Sequence, residues 1–144
     1  CGALEQFRAA RSTRTLDGVP RMSTWRRKAL EALPELRSEL ERPEFSLYEA
    51  FFEIVPLCHK AHIEGNIDLL TRIYGFAAWC SRQPDPALWN PVGVAFYEHL
   101  ADSGAALKAV PEWVPRDVFD NVASLLEARV GKATVDELRS RYKE

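Results

Sequence analysis

The sequence predicts an all-α fold, a single domain of about six or seven helices packed as antiparallel hairpins around one central hairpin. Three observations predict this class. Apolar residues recur at spacings of three and four through most of the chain, as they do on one face of a helix. Two long apolar segments, about 47–64 and 67–81, meet at a Glu-Gly-Asn turn. No strand-like alternation and no hairpin dipeptide competes with this pattern.

The central hairpin carries a start signal and a turn signal. Ser46 and Glu49 form an S-x-x-E capping box, in which each side chain accepts a hydrogen bond from a backbone N–H of the first turn. Gly65 suits the left-handed conformation that ends a helix, and Asn66 suits the cap of the next helix. Because the connection is short, the two helices are expected to be antiparallel.

The apolar arc of the first hairpin helix is wide. Beside its main stripe, Phe52, Val55 and His59 form a second one, so we expect this helix to pack on more than one side. Antiparallel register places Phe52 opposite Trp79. Gly75 inside the second helix costs about 1 kcal/mol relative to Ala, and a close approach of another helix is the expected compensation.

Further helical segments flank the hairpin on both sides. Segment 25–41 is helical, and Pro34 either kinks it or restarts it as a second short helix. A second capping box, Thr134 with Glu137, predicts the start of the last helix. The other segments after the hairpin are a helical turn at 86–90, a helix at 91–100, a weak turn at 105–113 and a helix from Pro115 to the Gly131 stop.

The charge distribution separates an N-terminal extension or arm, residues 1–21, from a single helical domain, residues 22–144. Residues 1–28 hold seven basic and two acidic groups, whereas residues 43–144 hold ten basic and fifteen acidic groups. The N-terminal arginines are irregularly spaced, and no aromatic residue lies between Arg8 and Arg21, so nucleic-acid binding is not favoured. Met22 is also a plausible natural start, and the pattern leaves open whether residues 1–21 are native.

The remaining composition favours a cytoplasmic protein without cofactor. No apolar run approaches the roughly 20 residues of a membrane span, and no signal-peptide pattern is present. The cysteines are Cys1, Cys58 and Cys80, an odd number that argues against a disulfide framework. In the hairpin register Cys58 and Cys80 lie about 10 Å apart, too far for a disulfide, so both are expected to be buried apolar side chains.

Candidate catalytic groups are few. His59 and His62 share a helix face with spacing of three, but a zinc site needs three or four ligands, so no metal site is predicted. Glu98 and His99 are adjacent and point about 100° apart on a helix, which argues against a local dyad. The sequence has no nucleophile elbow, phosphate-binding loop, C-x-x-C or H-E-x-x-H motif.

A partner-binding surface is predicted around the aromatic and acidic residues of the second half. Tryptophan is enriched at interface hot spots, and acidic groups steer association with a basic partner. The predicted surface residues are Asp85, Trp89, Asp102, Glu112, Trp113, Asp117 and Asp120.

Two stretches carry a resemblance to a known group. RIYGFAAWC at 72–80 and LWNPVGVAFYEHL at 88–100 resemble a group of small bacterial helical proteins of unknown function. The similarity runs from Leu33 to about Gly131 and leaves out residues 1–21. It implies a bacterial source and an all-helical fold, without an activity. Small helical proteins with an acidic body are also similar in style to immunity proteins of bacterial toxin systems.

The leading functional hypothesis is a non-catalytic protein-binding domain, with an immunity protein that neutralises a cognate bacterial toxin as its most specific form. One alternative is a metal-dependent or acid/base enzyme that uses His59, His62, Glu98 or His99. A second alternative is a homo-oligomeric helical scaffold. Composition and motifs alone do not identify the partner or the oligomeric state.

Overall fold

A computed structural model describes residues 23–142, in which all regular secondary structure is helical and no strand occurs. The predicted all-α fold is therefore confirmed. The predicted arm, residues 1–21, lies outside the described range. The α-helices are α1 (Thr24–Ala32), α2 (Arg37–Leu40), α3 (Leu47–Glu64), α4 (Ile67–Ser81), α5 (Pro86–Ala95), α6 (Gly104–Lys108), α7 (Val110–Trp113), α8 (Arg116–Val130) and α9 (Lys132–Ser140), with 3₁₀ helices at Pro34–Leu36 and Tyr97–Asp102.

The central hairpin forms as predicted, with α3 and α4 as its two arms. The N–H of Glu49 donates to the Ser46 hydroxyl (3.1 Å), and the N–H of Ser46 donates to the Glu49 carboxylate (2.8 Å). Gly65 ends α3 with φ of 68°, a left-handed conformation that glycine adopts without strain. The side chain of Asn66 accepts from the N–H of Leu69 and caps α4. Local signals thus fix both ends of the turn.

Aromatic rings join the hairpin to the segment that follows it. Phe51 stacks on Phe76 at a centroid distance of 5.5 Å and touches Phe96 at 5.6 Å. Phe96 also contacts Tyr74 at 5.7 Å and Tyr97 at 5.1 Å. These side chains are buried, so they form the centre of the core where α3, α4 and the end of α5 meet.

Prolines and a backbone break divide the flanking segments more finely than predicted. Pro34 begins a 3₁₀ helix, and α2 follows it as a second short helix. Of the two alternatives predicted for Pro34, the restart is therefore confirmed. The predicted helix at 91–100 divides because Phe96, at φ −120° and ψ −67°, ends α5 and a 3₁₀ helix follows. The last helix begins at Lys132 after Gly131, whose φ is 92°, so Thr134 lies inside α9 and the predicted capping box there is wrong.

Two arginines tie α1 to the rest of the domain. The guanidinium of Arg26 donates to the carbonyl oxygens of Leu40, Arg42, Pro43 and Phe45, at 2.6 to 3.4 Å. It thereby fastens the loop before α3. Arg72 of α4 donates to the carbonyl of Ala32 (2.8 Å) and makes a two-pronged ion pair with Glu35 (2.9 and 3.0 Å).

Two expectations about the hairpin are wrong. Phe52 is 57% exposed instead of packed opposite Trp79, because its position on α3 turns towards solvent; Val55 and His59 of the same predicted stripe are half-buried. A Cβ built on Gly75 would meet nothing within 4 Å, so no close helix approach explains this glycine. Among the described residues, no helix is long and apolar enough to cross a membrane.

Candidate functional site

A groove of about 440 Å³ opens between α5 and α8. Its walls come close because Gly93 carries no side chain: a Cβ there would lie 3.2 Å from Cδ1 of Leu125, tighter than ordinary packing. The base of the groove is apolar and its walls offer hydroxyl and amide groups. The lining residues are Ser81, Trp89, Asn90, Gly93, Val94, Asn121, Val122, Ser124 and Leu125.

One wall of the groove carries Trp89, one of the residues predicted for partner binding. Its side chain is 45% exposed, so a large apolar ring faces solvent beside the opening. The adjacent Asn90 donates its amide to the hydroxyl of Tyr48 on α3 (2.7 Å), which holds the Asn90 side chain in place. Asp85 caps α5 by accepting from the N–H of Ala87 (2.9 Å), and this cap fixes the first turn that presents Trp89.

An ion pair stands at the end of the groove near Ser81. Arg82 donates two hydrogen bonds of 2.9 Å to Asp117 at the start of α8. The bonds from Arg82 hold the pKa of Asp117 below its ordinary value, so this carboxylate is charged at neutral pH. Asp120 is exposed one turn further along α8. Four of the predicted partner-binding residues therefore lie on the two helices that form the groove.

The other predicted residues lie elsewhere. Trp113 is half-buried and stacks on Tyr74 at 5.5 Å, so it serves the core more than a surface. Glu112 is exposed beside it on α7. Asp102 ends the second 3₁₀ helix, where it pairs with Arg129 and with His99. The seven predicted residues thus divide between two separate regions of the surface.

The second region contains all three histidines of the chain. His59 and His62 lie on α3, and His99 lies on the second 3₁₀ helix, close enough to influence His59 electrostatically. Nε2 of His62 lies 2.7 Å from the Tyr74 hydroxyl, to which the Cys58 thiol donates at 3.5 Å. Nδ1 of His99 lies 2.8 Å from the Asp102 carboxylate.

The His59 ring is buried beside His99 and Asp102, whose backbone and carboxylate respectively favour its charged form. Both of its ring nitrogens are buried and have no partner among the described residues. Burial lowers the pKa of His59, and the charge of Asp102 opposes this shift. Burial also lowers the pKa of His62, helped by the nearby His59. Both rings are therefore neutral at pH 7.

Imidazole, thiol, phenol and carboxylate groups meet in this region. Within residues 23–142 no group of three or more His, Cys, Asp or Glu side chains is arranged to hold a metal ion. Burial raises the pKa of the Cys58 thiol to about 11, so it is not a thiolate nucleophile at neutral pH. His99 and Asp102 form a partly exposed hydrogen-bonded pair. Glu98 is engaged with Arg129 at 3.7 Å.

Sequence reasoning identified Trp89 but not the groove beside it. The groove depends on Asn121, Ser124 and Leu125 of α8, which approach α5 only in the tertiary fold. The available signal was Gly93, a glycine within an apolar helical stretch, which favours close helix contact.

A comparison with protein-family models matches residues 26–123, more than half of the chain, to the model described as a domain of unknown function (DUF7674). The match includes α3, α4 and α5 entirely and most of α8. Neither the search of curated proteins nor the search of solved structures finds a match.

Proposed function

The chain belongs to the DUF7674 family of unknown function, and we propose that it is a non-catalytic protein-binding domain whose partner inserts into the groove between α5 and α8. The observation that carries this proposal is the exposed indole of Trp89 beside an apolar groove of about 440 Å³. We propose that the protein acts in the cytoplasm, because Cys58 and Cys80 are free thiols.

The composition of the groove fits a protein side chain. Val94 and Leu125 supply an apolar floor, while Asn121 and Ser124 offer uncharged hydrogen-bonding groups on the wall. An apolar anchor from a partner would fill the floor and a backbone amide would meet the polar wall, the usual anatomy of an interface hot spot. Trp89 would cover the anchor and exclude water from it.

The more specific form of the proposal is an immunity protein that blocks a basic site on a bacterial toxin. Asp85 and Asp120 are exposed near the groove helices and would draw a basic surface towards it. Asp117 contributes less, because Arg82 compensates its charge. The excess of acidic over basic residues in the 43–144 segment would also attract a basic partner.

The proposal is tested by capturing partners from a lysate of the source organism with the tagged full chain and with Trp89→Ala. Ile67→Ala is the matched control, since Ile67 is 60% exposed at the opposite end of α4 from Ser81. We expect Trp89→Ala to weaken the affinity for the captured partner by tenfold or more in titration calorimetry, and Ile67→Ala to leave it unchanged. Equal affinity of the two variants would reject the groove as the binding site.

The steering charges have their own test. Asp85→Asn combined with Asp120→Lys should lower the association rate and flatten its dependence on salt, with a smaller change in the dissociation rate. Asn at position 85 keeps an N-cap, so α5 should form normally. A rate and a salt dependence equal to those of the parent chain would remove the argument for a basic toxin site.

A second candidate function is acid/base catalysis at the histidine region, favoured by the buried His59 ring beside the His99–Asp102 pair. His99 would exchange a proton with a substrate and Asp102 would hold its ring; His62 and Glu98 would line the approach. Metal analysis of the purified chain separates the metal-dependent form of this idea from the metal-free form. A stoichiometric transition metal that is lost in His59→Ala would favour an enzyme over a binding domain.

A further inference from the structure

The outward face of α3 is apolar along its length. Tyr48, Phe52 and Ile63 are 39%, 57% and 76% exposed, and Pro56 between them is also exposed. Val55 and His59 fall in the same arc but are half-buried: Val55 packs against the core, and both ring nitrogens of His59 are buried. We call these six residues the α3 stripe. In the described part of the chain, no other helix presents so many apolar side chains on one outward face.

The geometry of the stripe is regular. At 100° and 1.5 Å per residue, its members fall within an arc of about 100° and extend over about 22 Å. A surface helix normally carries polar side chains on this side and keeps apolar ones for the core. The core side of α3 is already filled by Phe51, Ile54 and Cys58, so the exposed stripe residues Phe52, Pro56 and Ile63 form an apolar face beyond that core.

We propose that the α3 stripe packs against the same stripe of a second copy of the chain, with the two helices antiparallel about a two-fold axis. The midpoint between Tyr48 and Ile63 falls between Val55 and Pro56, and the axis would pass there. Tyr48 would then face Ile63 of the second copy, and Phe52 would lie between Pro56 and Ile63 of the second copy. Aromatic and aliphatic members thus meet in complementary pairs, as an isologous interface requires.

Charge at the edge of the stripe favours a second copy over a different partner. Glu49, Lys60 and Glu53 lie together along the solvent edge of α3. In the two-fold arrangement Lys60 lies level with residue 51 of the second copy, between its Glu49 and Glu53. Each lysine therefore gains two opposite charges. Among the described residues of one copy, Lys60 pairs with Glu64 at 3.9 Å, and because both side chains are largely exposed this contact contributes little.

The size of the stripe sets the strength of the dimer. A face about 22 Å long and one helix wide (about 10 Å) covers well under the ~800 Å² per partner of a standard interface. We therefore expect a weak dimer that forms with rising concentration. The inference does not rest on the proposed function. The groove residue Asn90 bonds the Tyr48 hydroxyl, but Phe52, Pro56 and Ile63 do not line the groove.

Sedimentation equilibrium tests the dimer. The mass should rise from 16.3 kDa towards twice that value as the concentration increases from about 5 µM to about 1 mM. Phe52→Glu should keep the chain monomeric over the same range, and Trp89→Glu, a matched aromatic-to-acid change in the groove, should not. Circular dichroism confirms that each variant is folded. A mass of 16.3 kDa at every concentration, or association that survives Phe52→Glu, would overturn the proposal.

A charge-swap experiment tests the antiparallel register. Lys60→Glu alone and Glu53→Lys alone should each weaken self-association by about fivefold. An equimolar mixture should recover it, since Glu at position 60 of one copy meets Lys at position 53 of the other. Failure of the mixture to associate better than either variant would reject this register. Capture of a partner through Trp89 is measured separately, so the two proposals fail independently.

Discussion

Phe51→Ala is the substitution that most directly tests the packing of the core. Phe51 is fully buried, and its ring contacts Phe76 at 5.5 Å with a 21° interplanar angle and Phe96 at 5.6 Å with a 40° angle. It therefore connects α3 to α4 and to the end of α5. Truncation to Ala removes both ring contacts and leaves a cavity between three elements.

The expected cost lies at the upper end of the range for such truncations. Buried Phe→Ala changes destabilise by about 3–5 kcal/mol, and each aromatic pair adds about 0.5–1.5 kcal/mol beyond its buried area. With two pairs lost, we expect about 4–5 kcal/mol. For a chain of this length each kcal/mol lowers Tm by about 2–4 °C, so Tm should fall by about 10–20 °C.

Urea unfolding followed by far-ultraviolet circular dichroism measures this cost. The matched control is Phe52→Ala, which makes the same chemical change one residue further on. Because Phe52 is 57% exposed, its truncation should change the free energy of unfolding by less than about 0.5 kcal/mol. Low micromolar protein keeps any α3 dimer dissociated. A cost below about 1.5 kcal/mol for Phe51→Ala, or equal costs for the two variants, would refute the assigned packing of α3.

Three further predictions concern local features. Gly75→Ala should raise the free energy of unfolding by about 0.5–1 kcal/mol, because a Cβ there meets open space. Gly65→Ala should lower it by about 1 kcal/mol, because φ at Gly65 is 68°. Thermal unfolding of the two variants checks both signs. Because burial holds the pKa values of His59 and His62 below the ordinary value, the unfolded chain binds protons first as the pH falls. Stability should therefore decline below about pH 6.5, and urea midpoints should show a shallower decline when both are changed to Gln. Arg26→Met should cost about 1–3 kcal/mol in urea unfolding, since the guanidinium donates to four backbone carbonyls, and no loss would mean that water replaces these bonds freely.

The parts of the fold that depend on local chemistry could be predicted from the sequence. Ser46 with Glu49 and Gly65 with Asn66 fixed the ends of the hairpin helices, because a cap satisfies backbone groups within one turn of itself. The Thr134 capping box failed for a related reason. Gly131 adopts φ of 92° and lets the last helix begin earlier, at Lys132, so the threonine never reaches the helix terminus.

The site was harder to predict, because its parts come from distant segments. Trp89 could be named as a candidate interface residue from its type alone. The groove beside it requires α8 to approach α5 at Gly93, a contact between residues about thirty positions apart. His99 lies near His59 because a 3₁₀ helix follows the end of α5 at Phe96. No local sequence pattern predicts that α5 ends there.

The neighbouring residues Phe51 and Phe52 show where reasoning from periodicity ends. A wide apolar arc on α3 predicts contacts on more than one side, and periodicity cannot say whether the second side belongs to the same chain. Phe51 is buried in the core, whereas Phe52 is exposed on the same face of α3 as Tyr48 and Ile63. The proposed dimer would account for the part of this apolar arc that the core leaves exposed. Measuring self-association with Phe52→Glu decides whether a second copy of this chain covers it.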